Sequence, residues 1–148
     1  MGLGADIDPH SLVEARKLIE VELAGLAAER ATSVQIESIV SCLHRTQQTM
    51  EPDQAEELLQ ADVDFHFEVA NASSNPILGQ FLTLIRKLMR EWILVSLSSP
   101  DAAIEAFQHH QQIVDAIRER ERRGKRWKRT LTQWENGKIY AEIRPSHL

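Results

Sequence analysis

Four of the five prolines in this 148-residue chain stand where a helix would begin, and between them apolar residues recur every three or four positions. Pro9 follows Asp8, Pro52 precedes Asp53, Pro76 follows Asn75 and Pro100 follows Ser99. Proline has no amide proton to lose in a first helical turn, and Asp, Asn and Ser side chains accept the free amides there. No stretch alternates apolar and polar residues long enough to count as a strand, and no internal repeat is visible. The chain is therefore expected to be all-α, an antiparallel bundle of about six helices joined by short loops.

The first helix is expected from Asp8-Pro9 to about Arg30, with Leu12, Ala15, Leu18, Ile19, Leu26 and Ala27 on its apolar stripe. Thr32-Ser33 caps a second helix carrying Ile36, Ile39, Val40 and Leu43, and a third runs from about Gln54 to Ala72. The fourth, about Pro76 to Leu97, is apolar around most of its circumference. Such a helix is either central to a bundle or also part of a subunit interface. Ser99-Pro100 opens a fifth, with Ala103, Ile104, Phe107, His110, Ile113, Val114 and Ile117 inward. Residues 1–118 form the bundle in this reading, and 119–148 are a basic helix or tail completing the same domain.

Composition narrows the function. One cysteine, Cys42, permits no intrachain disulfide and suits a reducing compartment. No apolar run approaches the ~20 residues that span a bilayer, and the N-terminus lacks the pattern of a signal peptide. A cytoplasmic protein without a membrane partner is expected. The net charge of −5 is uneven, because residues 118–129 hold eight Arg and Lys against two Glu. The remainder is acidic and a poor surface for nucleic acid.

Two residues suggest chemistry on the third helix. Asp62 and His66 are four apart, so they lie one above the other on a face shared with Val69 and Ala70. That face looks inward, where an ionisable pair needs a partner or a cation. His110 lies on the apolar stripe of the fifth helix, while His109 is turned about 100° away from it. Asp62, His66 and His110 are candidate ligands of one divalent metal ion, against the blander reading of a surface ion pair or a satisfied core histidine. Cys42 reads as a small core residue and His44 as surface, since neither has a ligand neighbour at useful spacing. Arg16, four residues before Glu20, reads as half of a solvated ion pair.

Four motifs in order carry a resemblance. They are Leu12 to Ala31 with its Arg16 and Ala27-Ala28-Glu29-Arg30, then Asp62-x-x-Phe65-His66, then Ala72-x-x-Asn75-Pro76-x-Leu78, then His110-x-x-Ile113-x-x-Ala116-Ile117. Together, over about residues 8–118, they resemble the effector-binding (FCD) domain of the GntR transcription regulators, FadR-like subgroup. The resemblance implies a FadR C-terminal-like bundle that senses a ligand and dimerises. It points Arg16 into a cavity holding a small organic acid, where a guanidinium fork suits a carboxylate. Imidazole plus carboxylate suits Zn²⁺ or Ni²⁺, with room for an exchangeable ligand. DNA would be contacted through a winged-helix domain that this chain does not contain.

Two alternatives stand beside the sensor. An open metal site also serves hydrolases, but no His-Glu-x-x-His, no Glu-x-x-His pair and no Gly-rich phosphate loop is present. A purely structural bundle, with Asp62 and His66 merely paired, is the other. The family pattern also has a final helix with Ala-Met-x-x-His, whose histidine follows the one matching His110 by on the order of 22 residues. Here that position is Thr132. A shifted reading frame over 124–131 permits Ala-Met-Glu-Ala-His-Leu, so a frameshift just after Ile117 is expected to have replaced that helix.

Overall fold

The structure is a computed structural model that describes residues 8–123. Six α-helices and one 3-10 turn make up the described residues, without strands: α1 (Pro9–Arg30), α2 (Ser33–Gln48), the turn Pro52–Gln54, α3 (Ala55–Ala72), α4 (Pro76–Leu88), α5 (Arg90–Leu97) and α6 (Pro100–Arg123). The all-α bundle expected from the spacing is what forms. Its boundaries follow the capping chemistry. The Asp8 carboxylate accepts from the amides of His10 and Ser11, Thr32 and Gln35 form a reciprocal capping box, and Asn75 Oδ1 accepts from the amide of Leu78 at 3.1 Å.

The apolar fourth segment departs from expectation. It bends at Met89, which has φ −95° and ψ 0°, and so forms two helices rather than one. Hydrogen bonding crosses the bend, from Met89 N–H to the Ile85 carbonyl and from Ile93 N–H to the Met89 carbonyl. The chain therefore turns without leaving helical geometry, and Met89 itself is fully buried. The segment also leaves one face open to solvent. Leu82 and Ile85 face inward, while Ile77, Phe81, Leu84 and Val95 are exposed. Leu18 and Ile104, expected inside, are exposed as well, at 67% and 45%. α6 runs on past Ile117 into the start of the basic tract, where Arg120 Nη1 lies 3.9 Å from Glu29 Oε1 at the end of α1. The tail and shifted-frame expectations beyond Arg123 lie outside the described residues.

Two apolar clusters make most of the core. One joins Leu12 of α1, Leu58 and Leu59 of α3, Ile85, Met89, Ile93 and Leu97, and Ala103 of α6. The other joins Ala24, Ala27 and Ala28 of α1, the inner residues of α2, Phe65, Val69 and Ala72 of α3, and Val114 and Ile117 of α6. The clusters occur in the same order along α1, α3 and α6, so these three helices run in the same sense and the elements between them reverse the chain. On each of the three, polar residues are buried at or next to the junction of the two clusters: Glu20, Asp62 with His66, and His110. The polar site thus occupies the level at which the two halves of the core meet.

Candidate functional site

α3 brings Asp62 and His66 to one face, as their i, i+4 spacing requires, and α6 brings His110 opposite them. His110 Nε2 lies 3.1 Å from Asp62 Oδ1 and 3.2 Å from His66 Nε2, and His66 Nε2 lies 3.6 Å from Asp62 Oδ1. All three residues are buried, and one ligand atom from each falls within 4.8 Å of the other two. The His110 ring is stacked on fully buried Phe65, with centroids 4.0 Å apart and planes 16° from parallel. That contact fixes the direction of its nitrogens. His110 Nδ1 is buried with no hydrogen-bond partner, as is Arg86 Nε.

Arg16 is where spacing puts it, with Nε 2.8 Å from Glu20 Oε1, but the pair is not solvated. Both side chains are largely buried. The same Glu20 Oε1 receives Arg86 Nη1 at 3.0 Å and stands 3.5 Å from His66 Nδ1. The second arm of Arg86, Nη2, donates to Asp62 Oδ2. Two residues that the sequence reading did not place here, Glu20 and Arg86, therefore complete a network linking α1, α3, α4 and α6. A signal for Arg86 was present: Leu78, Leu82 and Arg86 recur at four-residue steps on the inner stripe of α4, so the charge falls where an apolar residue is expected.

Electrostatics assign protonation states. Burial pushes the Asp62 carboxyl up, but Arg86, with His110 and His66 beside it, outweighs burial and holds the group well below the usual carboxylate range. Burial likewise raises Glu20, and Arg16, His66 and Arg86 together bring it down to about 2. Burial lowers His66 to about 4 despite Glu20 and Asp62 nearby, so its imidazole is neutral at pH 7. Half-buried His109 is not one of the three converging residues, and its pKa is lowered by burial and by His110 and Arg16. Cys42 lies in the core and His44 on the surface, and neither is among the three converging residues.

Beside the network, α3 and α4 frame a cleft of about 770 Å³ with Leu59, Val63, Phe67 and Leu82 among its apolar residues and Lys87 and Arg90 among its cations. Arg86 forms part of its wall. One side chain thus borders the cleft and also reaches the buried carboxylates of α1 and α3. No helix among the described residues is long and apolar enough to cross a membrane.

The FCD domain family matches residues 11–126. The chain is 32% identical over 115 residues to the HTH-type transcriptional regulator LutR of Bacillus subtilis, an alignment covering 74% of this chain and 52% of that protein. It is 32% identical over 117 residues to the galactonate operon transcriptional repressor of Escherichia coli, covering 76% and 50%. A further relative is the HTH-type transcriptional repressor NanR of Cronobacter sakazakii, 32% identical over 114 residues, covering 73% and 42%. The chain spans about half the length of the curated relatives it matches, or less. No solved structure matches it significantly.

Proposed function

Because this chain belongs to the FCD-domain family found in GntR-type transcription regulators, we propose that it is the ligand-sensing domain of such a regulator and that Asp62, His66 and His110 hold a divalent metal ion. The observation carrying this reading is the convergence of two imidazole nitrogens and one carboxylate oxygen, all buried, from two helices. Three lone-pair atoms that close together need a proton or a cation among them, and neutral imidazole is the form that ligates. Glu20, on the far side of His66, favours the proton on Nδ1 and so leaves Nε2 as the ligand nitrogen. Zn²⁺ or Ni²⁺ suits this donor set, and a metal bound there supplies open positions for a small organic acid. Arg16, anchored to Glu20 beside the triad, is the residue we assign to the effector's carboxylate.

The reading includes a homodimer, for which the exposed Ile77, Phe81 and Leu84 at i, i+4, i+7 on α4 supply an apolar face. DNA contact belongs to a winged-helix domain outside the present sequence.

The test is calorimetric and thermal. Wild-type protein is expected to bind one Zn²⁺ or Ni²⁺ and to melt at a higher temperature with it, because the unfolded chain has no formed site. His66→Ala should lose both effects, and Arg16→Ala should keep the metal while losing affinity for organic acids. Identical melting of metal-free and metal-loaded protein would remove the triad as a metal site. Equal affinities of wild type and Arg16→Ala across a panel of organic acids would remove Arg16 from the effector site.

A further inference from the structure

The triad's single carboxylate already has a cation. Arg86 Nη2 donates to Asp62 Oδ2, its Nη1 is 3.0 Å from Glu20 Oε1, and its side chain is only 6% exposed. His66 and His110 bind a metal as neutral groups. A dication added to an Asp62 that Arg86 has neutralised leaves two surplus positive charges beside a buried guanidinium, in surroundings that screen charge poorly. Glu20, beyond His66, is shared between Arg16 and Arg86. The same arginine forms part of the wall of the α3–α4 cleft, where Asp64 is paired with Arg45 and Arg90 with Glu56 and Glu91, so Lys87 and Arg86 are the cations an entering anion would meet.

We propose that Arg86 is a resident counter-cation that makes metal occupancy of the Asp62–His66–His110 triad depend on a bound carboxylate anion. Without metal it stands in for one, satisfying the buried Asp62 and Glu20 and keeping the site folded. With metal it penalises the site until an anion arrives, so metal and anion raise each other's affinity by the same factor. The effector then acts as an obligatory partner of the metal rather than an optional fourth ligand, and dianions are favoured over monoanions. This inference rests on the metal reading above.

The experiment measures Zn²⁺ affinity by chelator competition, with and without succinate, in wild type, Arg86→Lys, Arg86→Gln and His66→Ala. Wild type and Arg86→Lys should bind Zn²⁺ at least about tenfold more tightly with saturating succinate, and the neutral analogue succinamide should give no gain. Arg86→Gln should bind Zn²⁺ alone about tenfold more tightly than wild type and lose most of the succinate effect. Its metal-free form should melt well below wild type and recover on adding Zn²⁺. If Arg86 only positioned Asp62, its loss would instead weaken Zn²⁺ by about 10- to 100-fold, which overturns the proposal. Equal wild-type Zn²⁺ affinity with and without succinate overturns it too, even if Arg86→Gln does not fold. Zn²⁺ binding that survives His66→Ala undamaged would show that the triad reading itself has failed. Loss of binding in His66→Ala without a gain in Arg86→Gln sinks the counter-cation alone.

Discussion

Asp62 and Asp64 are two residues apart on α3, each held by an arginine from another helix, and they do different work. Asp62 is 5% exposed and bonded to buried Arg86, with two histidines and the α4 wall around it. Asp64 is 33% exposed, 2.9 Å from Arg45 of α2, and also accepts from Gln60 at 2.8 Å. A step of two residues turns a helical side chain about 200°, which is enough to move it from core to rim. An ion pair in water gains little, because each partner is well solvated when alone. A buried pair is costly to assemble and more costly to break, since either partner left alone has no water to replace the other. The difference lies in burial, not in the pairing chemistry.

The largest effect expected follows from that asymmetry. In metal-free protein, Asp62→Ala should destabilise by about 3–5 kcal/mol, because Arg86 remains buried with only Glu20 to balance it. Asp64→Ala should cost under about 1 kcal/mol. Urea unfolding of the two variants side by side measures both. Comparable losses would mean that the buried network contributes no more than the surface pair, and the contrast drawn here would fail.

Much of this was legible in the chain. Caps at Asp8, Thr32 and Asn75 gave helix starts because each puts an oxygen on otherwise free amides, and the inward stripes placed Asp62, His66 and His110 on facing helices. Arg86 was marked only by its place on the inner stripe of α4, and Glu20 could not be told from the partner in a solvated pair. An Arg16–Glu20 pair at i, i+4 has the same spacing in water and in a core, and only the packing of α4 against α1 and α3 decides which. Leu18 and Ile104 erred in the opposite direction, since an apolar side chain in solvent is tolerated at modest cost. The bend at Met89 has neither Pro nor Gly to announce it. Ser74, at φ 53°, makes the tight α3–α4 turn in a conformation for which Asn or Gly would have been the clearer sign.

A second effect sharpens the comparison through pH. His66 has a folded-state pKa of about 4 against an ordinary 6.5, so between those values the unfolded chain takes a proton that the folded one refuses. Stability from this group is complete above about pH 6.5 and is lost as pH falls toward 4. Glu20, at about 2 against 4.5, acts with the same sign: its contribution is present above about 4.5 and lost as pH falls toward 2. Asp62 adds to this lower limb. Metal-free protein should therefore lose on the order of 3 kcal/mol between pH 6.5 and 4 through His66 alone. His66→Gln should flatten that upper limb and leave the lower one. If the upper limb persisted in His66→Gln, the acid sensitivity would belong to some other group.

The smallest effect separates the two aspartates by salt. A double-mutant cycle on Asp64 and Arg45 should give a coupling of about 0.2–1 kcal/mol at low ionic strength, since Arg45 is 48% exposed and the pair is open to solvent. In 1 M NaCl the screening length shrinks to about 3 Å, close to the 2.9 Å separation of the charged atoms, and most of that coupling should vanish. The same cycle on Asp62 and Arg86 should return a coupling of several kcal/mol that salt leaves nearly unchanged, because mobile ions do not reach a contact that is about 95% shielded on both sides. A salt-sensitive Asp62–Arg86 coupling would mean that ions, and hence water, enter the site freely. Arg86 could not then act as the counter-cation that makes metal wait for an anion, since a chloride or acetate from solution would discharge the surplus at no cost in selectivity.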